Sequence, residues 1–266
     1  MVRQMVCLIA TVITASAVTI PYFHEANAQP LSTRASDTTP IHDARIGQVV
    51  YTNPFELPDG ETLPDVPLCS ASHLGNNHWI TAAHCVTDVS PFSGFIQQDD
   101  GNKAEVTDVW LAPGGEDVAL LKLDSQITDE SFPIASNAAK AGSELTLLGY
   151  GGEHTYVSAA EVVVEKFLKE KTIEEKRYPY VYQTTSLEKS RSCSGDSGGP
   201  LFSGDEIYAV HSAGEKNPDC EGKASSTMWH SDVTSLKTII EQKIYDESIV
   251  PDTHLDSSRL ENSFSS

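Results

Sequence analysis

From Ile46 onward the chain alternates short β-branched and apolar runs with clusters of Gly, Pro, Asn, Asp and Ser. Runs this short, bounded by turn residues, predict strands at 48–52, 78–81, 106–111, 118–123, 145–148, 162–167, 180–184 and 207–212. Many short strands at modest spacing predict an all-β barrel or sandwich. The mixed charges of 165–177 predict a solvated strand edge or loop. Near the end the period changes. Val233, Leu236, Ile239, Ile240 and Ile244 recur at helical spacing, which predicts a helix laying one apolar face on the β core. The flanks carry other patterns. Residues 2–20 are largely apolar behind Arg3 and are followed by Ala26-Asn27-Ala28, which predicts a secretory signal peptide over 1–28. Residues 29–45 are polar and aperiodic and read as a propeptide ending at Arg45, and 251–266 read as a polar tail. No internal repeat is present.

Composition narrows the partners. The formal net charge is −20, and Arg3 and Glu25 cancel, so losing the leader leaves it unchanged. So acidic a chain is not expected to bind nucleic acid or an anionic membrane. Cys7 lies in the leader, leaving Cys69, Cys85, Cys193 and Cys220 and three possible pairings. Together with the leader they predict two disulfides in a secreted, extracellular protein. No Cys or His set has zinc spacing, and Asp99-Asp100-Gly101-Asn102 lacks the alternating carboxylates of a calcium loop. Neither a metal nor any other cofactor is expected.

Three motifs carry the chemistry. Gly195-Asp196-Ser197-Gly198-Gly199-Pro200 follows Thr81-Ala82-Ala83-His84-Cys85 and Asp117-Val118-Ala119-Leu120-Leu121. A serine hydroxyl is a weak nucleophile near neutral pH, so it needs a base, and an imidazole needs a carboxylate to fix its tautomer. His84, Asp117 and Ser197 supply these roles in that order. A Gly-Asp-Ser-Gly alone recurs by chance; three ordered motifs do not.

On these residues, with Gly149-Tyr150-Gly151 and Cys193-Ser194 beside them, the chain resembles the chymotrypsin/trypsin family of serine endopeptidases over about 46–245. The resemblance implies two six-stranded antiparallel β-barrels with a C-terminal helix. The first barrel would span 46–135 and the second, with the helix, 136–250, the join falling within 125–142. It implies Ser197 as nucleophile, His84 as general base, Asp117 as its orienter, and the N–H groups of Gly195 and Ser197 as the oxyanion hole. It also implies Cys69–Cys85 and Cys193–Cys220 disulfides, and a hydrogen bond from Ser212 to Asp117. In the family, cleavage after a basic residue frees an amine that pairs with the aspartate before the serine. Arg45-Ile46-Gly47-Gln48 departs from the usual Ile-Val-Gly-Gly, yet cleavage at Arg45 and an Ile46–Asp196 ion pair are expected.

The pocket points away from Lys and Arg. Trypsin-type members place an aspartate six residues before the serine, where this chain has Arg191, which would repel a basic side chain. His211 immediately before Ser212, with Ser194 three residues before the nucleophile, is similar to the secreted glutamyl endopeptidases. Ser192 adds a hydroxyl, and Ser212 and Gly214 complete the substrate-binding set. Imidazole and hydroxyl donors suit a desolvated carboxylate, so a protein or peptide substrate with Glu or Asp before the scissile bond is expected. Such an enzyme would not cut after its own Arg45, so activation by a trypsin-like protease in trans is expected. Two other readings stay open: the same triad with an apolar or broad pocket, and a protease homologue that binds a partner without cleaving it.

Overall fold

The computed structural model describes residues 40–55, 62–152, 154–173, 175–187, 192–215 and 226–248. Its strands close into two barrels of six, as the resemblance implies. The first consists of β1 (Ile46–Tyr51), β2 (Val66–Gly75), β3 (His78–Thr81), β4 (Gly94–Gln97), β5 (Lys103–Leu111) and β6 (Ala119–Leu123), in the order β1-β2-β3-β6-β5-β4. The second consists of β7 (Glu144–Gly149), β8 (Ser158–Ile173), β9 (Lys176–Ser186), β10 (Pro200–Ser203), β11 (Glu206–Gly214) and β12 (Thr227–Asp232), in the order β10-β11-β12-β9-β8-β7. One helical turn, α1 (His84–Thr87), follows β3, and α2 (Lys237–Ser248) follows β12. The segment 124–143 joins the barrels.

Strand periodicity explains the two kinds of core. On β6, Ala119, Leu121 and Leu123 enter the first barrel beside Val49, Trp79 and Ile96. Leu120, with Val118 just before the strand, faces the seam, where Leu148, Ile207 and Val210 of the second barrel and Ile240 and Ile244 of α2 pack. Successive side chains of a strand point to opposite faces, so a strand buried on both reads as apolar throughout. The second barrel is filled separately by Leu145, Leu147, Val162, Tyr182, Leu201 and Met228.

Four strands were absent from the hydrophobic pattern: β2, β4, β10 and β12. Ser70, Ser72 and His73 of β2 and His230, Ser231 and Asp232 of β12 are buried although polar. The charged stretch 165–177 is mostly solvated strand rather than loop: it forms the outer part of a long β8–β9 hairpin, with Lys171 opposite Tyr178 and Ile173 opposite Lys176. The helix also starts later than its apolar spacing predicts: Val233 and Leu236 precede it, and Ile239 is 42% exposed. The predicted leader 1–28, the tail 251–266, Arg191 and Cys220 lie outside the described residues, as does 29–39 of the predicted propeptide.

The last turn of α2 fastens the helix to the first barrel. Glu247 Oε2 accepts from His78 Nε2 on β3 at 2.9 Å and lies 3.3 Å from Lys122 Nζ on β6, while Oε1 pairs with Lys243. Partial burial works to raise this carboxyl, but the bonds from Lys243, His78 and Lys122 outweigh it and bring it down to about 2. A carboxyl lowered on folding contributes stability above its unfolded pKa and loses it as pH falls through the folded value. The wild-type Tm is therefore expected to fall between about pH 4.5 and pH 2 more steeply than that of Glu247→Gln. Thermal melts across that window check this; parallel curves contradict it.

Candidate active site

The site is assembled where loops of the two barrels touch. β3 ends at Thr81, and the chain turns through Ala82 and Ala83 into α1, whose first residue is His84. The Cys69–Cys85 disulfide ties α1 to β2. Asp117 precedes β6 in a loop closed by the Ala112 N–H donating to the Val118 carbonyl at 3.0 Å. Its side chain is buried. Oδ1 accepts the His84 backbone N–H at 2.9 Å, and Oδ2 lies 2.8 Å from His84 Nδ1. A carboxylate against Nδ1 requires the proton there, which leaves Nε2 of the neutral ring as an acceptor. Burial pushes the Asp117 carboxyl up, but the hydrogen bonds and charge of His84 prevail and hold it below the usual range, with a smaller push from Lys176.

Ser197 sits in the turn between β9 and β10. Asp196 folds this turn: its N–H donates to the Cys193 carbonyl at 3.1 Å, and its carbonyl accepts the Gly199 N–H at 2.9 Å. Its carboxylate accepts the Gly151 and Cys193 N–H groups, both at 2.8 Å. Burial nevertheless pushes the Asp196 carboxyl up to about 6. Ser70 on β2 anchors the turn across the seam. Its N–H donates to the Ser197 carbonyl at 2.8 Å, and its hydroxyl donates to the Gly195 carbonyl at 2.8 Å while accepting the Tyr150 N–H at 2.9 Å. The Gly198 N–H donates to the His211 carbonyl at 2.7 Å. The N–H groups of Gly195 and Ser197 have no backbone acceptor among the described residues. Such a pair can receive negative charge developing on a carbonyl oxygen.

One expectation needs correction, and one concerns the cleaved chain. Ile46 opens β1 opposite Ser72, fully buried, and its N–H donates to the Asp43 carbonyl at 3.0 Å. The Arg45 carbonyl accepts the His73 N–H at 2.8 Å, while the guanidinium is held by Asp43 at 2.9 and 2.7 Å and lies 3.9 Å from the Phe132 ring centroid. The ion pair expected between Ile46 and Asp196 belongs to the cleaved chain; in the uncleaved chain the Ile46 nitrogen is a peptide amide that carries no charge. Ser212 is the expectation that changes. It is the extra residue of a bulge in β11, and its hydroxyl pairs with Ser231 Oγ at 2.8 Å instead of Asp117.

Of the residues expected to line the pocket, Ser192 and Gly214 meet. A methyl group on Gly214 would come within 2.3 Å of Ser192 Oγ, so these two touch. Ser194 is exposed. His211 Nδ1 lies 3.3 Å from His230 Nδ1, and His230 Nε2 lies 2.8 Å from Thr184 Oγ1. Burial lowers both imidazoles, His211 to about 3 with a further push from His84 and His230 well below its ordinary value. His230, Thr184 and Ser70 escaped the sequence reading. An isolated histidine or serine in a strand carries no signal, and the register that sets His230 opposite His211 is not local. Cys69, Cys85 and His84 bring potential metal ligands within 4.8 Å, but the disulfide uses both sulfurs.

A sequence model of the trypsin family matches residues 41–238 of this chain. The chain belongs to the trypsin family of serine endopeptidases. A family relative named trypsin, from Saccharopolyspora erythraea, is 26% identical over 198 residues, covering 65% of this chain and 85% of the relative. Among solved structures, neuropsin, a serine protease expressed in the limbic system of mouse brain, superposes with a TM-score of 0.60 at 17% identity, covering 79% of this chain and 99% of its own. The active form of the Rv3671c protease from M. tuberculosis superposes with a TM-score of 0.54 at 18% identity, covering 74% and 80%. At such identities the likeness to these two solved structures is one of fold.

Proposed function

We propose that this trypsin-family chain is a secreted endopeptidase that cleaves peptide bonds after Glu or Asp through Ser197, His84 and Asp117. Ser197 Oγ attacks the carbonyl carbon as His84 Nε2 takes its proton. Asp117 holds Nδ1–H and stabilises the imidazolium. The Gly195 and Ser197 N–H groups receive the oxyanion. His84 then protonates the leaving amine, and a water activated by the same ring releases the acyl group from Ser197. The observation carrying this reading is the buried Asp117 carboxylate bound to both the backbone and the ring of His84.

The acidic preference is supported by the buried His211–His230–Thr184 chain. Both rings are neutral near pH 7, so a consistent proton order runs from the Thr184 hydroxyl to His230 Nε2, and from His230 Nδ1–H to His211 Nδ1. That order leaves His211 Nε2–H as the terminal donor. A substrate carboxylate beside it would gain a charge-assisted hydrogen bond and draw His211 toward its protonated form. Ser192, against Gly214, is a second donor. The Cys69–Cys85 disulfide is consistent with an oxidising compartment, as is the leader-like segment 1–28.

A peptide library varying the residue before the scissile bond, with Ser197→Ala as control, tests the reading. Cleavage after Glu and Asp, absent in the control, is expected; cleavage after large apolar residues overturns the pocket assignment and leaves the triad. His211→Ala is expected to lower kcat/KM on Glu substrates by about 10²-fold and on Phe substrates far less. Equal losses on the two contradict the role of His211.

A further inference from the structure

β10 stops pairing with β11 at Pro200, opposite Val210, and the His211 N–H still bonds the Gly199 carbonyl. Beyond that point β11 continues to Gly214, and among the described residues it pairs there with β12 alone. Its other edge, from Ser212 to Gly214, has no strand beside it among the described residues. An open strand edge next to the nucleophile turn can pair with an extended peptide, main chain to main chain. Residues upstream of the scissile bond would then run along Ser212–Gly214, and whatever stands over that edge meets their side chains.

The β8–β9 hairpin supplies that wall. Tyr178, Val181 and Trp229 form a buried cluster, with Leu168, Ile173 and Ala213 packed against it. Trp229 is the β12 partner of Ala213. The cross-strand pairs Lys171–Tyr178 and Ile173–Lys176 lie on one face of the hairpin, because residues two apart along a strand share a face. Lys171 Nζ lies 5.0 Å from the Trp229 ring centroid, and Lys176 Nζ 5.6 Å from that of Tyr178. β9 also approaches the turn Pro113–Gly115, two residues before Asp117, and the Lys176 charge is felt at the Asp117 carboxyl. The hairpin carries five basic residues (Lys166, Lys169, Lys171, Lys176 and Arg177) and five acidic ones (Glu161, Glu165, Glu170, Glu174 and Glu175), and Arg177 pairs with Glu170. What sets Lys171 and Lys176 apart is their placement over the aromatic cluster beside Ala213, not an excess of positive charge on the hairpin.

We propose that Lys171 and Lys176 form an upstream subsite that selects an acidic side chain two to four residues before the scissile bond. The proposal rests on cleavage at Ser197, and it does not depend on which residue the His211 pocket takes. Each ammonium stands over an aromatic face on an ordered hairpin, so a carboxylate reaching it adds a pairing that the amide analogue lacks. Because the pairing is solvent-accessible, it is modest and salt-dependent.

The test uses matched peptides with one fixed residue before the scissile bond and Glu or Gln at each of the three upstream positions. The wild type is expected to favour Glu by about three- to tenfold in kcat/KM at one of these positions in about 0.01 M salt, and to lose that preference in about 1 M salt. In Lys171→Gln/Lys176→Gln the Glu-to-Gln ratio is expected to fall to about one, and in Lys171→Arg/Lys176→Arg to persist. A wild-type ratio of one at all three positions, or a ratio unchanged in the glutamine variant, overturns the proposal. Fluorophosphonate labelling of Ser197 separates the levels. Labelled enzyme without a ratio overturns this subsite alone, whereas unlabelled, inactive protein overturns the Ser197 reading and the subsite with it.

Discussion

Asp117→Asn is expected to lower kcat by about 10⁴-fold, the scale of that change in Ser–His–Asp triads, while KM moves little. The cause is a count of acceptors. The Asp117 carboxylate meets two N–H donors of His84, one from the backbone and one from Nδ1. An amide of the same shape has one oxygen. If it serves the backbone N–H, the NH₂ faces Nδ1, and the ring relieves the clash by moving its proton to Nε2, where it can no longer accept from Ser197. The fold has no reason to change, because the substitution is nearly isosteric. Steady-state kinetics beside a thermal melt checks both halves. A loss under about tenfold would contradict the role of Asp117.

Gly198→Ala is expected to be as damaging by a different route. Gly198 has φ +80°, and a Cβ there would lie 2.1 Å from Thr81 Oγ1, 2.3 Å from the Ser70 carbonyl oxygen and 2.8 Å from the Ala82 nitrogen. Two of these atoms are backbone, so the Ser197 turn must back away from the strand end that leads into His84. A displacement near 1 Å costs about 10²-fold in rate when it separates reacting groups, and the strain lowers stability by about 3 kcal/mol. Gly142→Ala is the matched control, with φ +85° and nothing within 4 Å of the new atom. It carries only the left-handed backbone strain, about 1 kcal/mol, and leaves activity intact. Equal effects of the two substitutions would mean that the approach of Gly198 to Ser70 and Thr81 is unimportant.

The fold and site differ in how far local sequence reports them. β6 was readable because both its faces are buried and Ala119-Leu120-Leu121 is apolar without interruption. β12 was not, because Thr227-Met228-Trp229-His230-Ser231-Asp232 buries its polar groups by pairing them: Ser231 with Ser212, His230 with Thr184, and Asp232 with Tyr182 at 3.1 Å. Satisfied polar side chains can be core, and a hydrophobicity pattern assigns them to the surface. His84, Asp117 and Ser197 were legible because each sits in a distinctive local motif. Ser70 and His230 act through partners over a hundred and nineteen residues away, respectively, and only the closed barrels bring those partners near. Arg45-Ile46 is legible only in part: a motif beginning with isoleucine after arginine looks the same whether it is to become a free terminus or to stay the first rung of a strand, as it is in the uncleaved chain.

Glu247 lies in the last turn of α2, yet the groups that hold it include His78 and Lys122 of the first barrel. The helix that ends the second half of the fold therefore acts as a clasp on the first half, across the seam where His84 and Ser197 come from opposite sides. Shortening the chain before Glu247 would remove no residue of the site and would still release the bonds by which α2 holds β3 and β6. For anyone appending a tag or reporter to this protein, the last turn of α2 is the position to leave undisturbed.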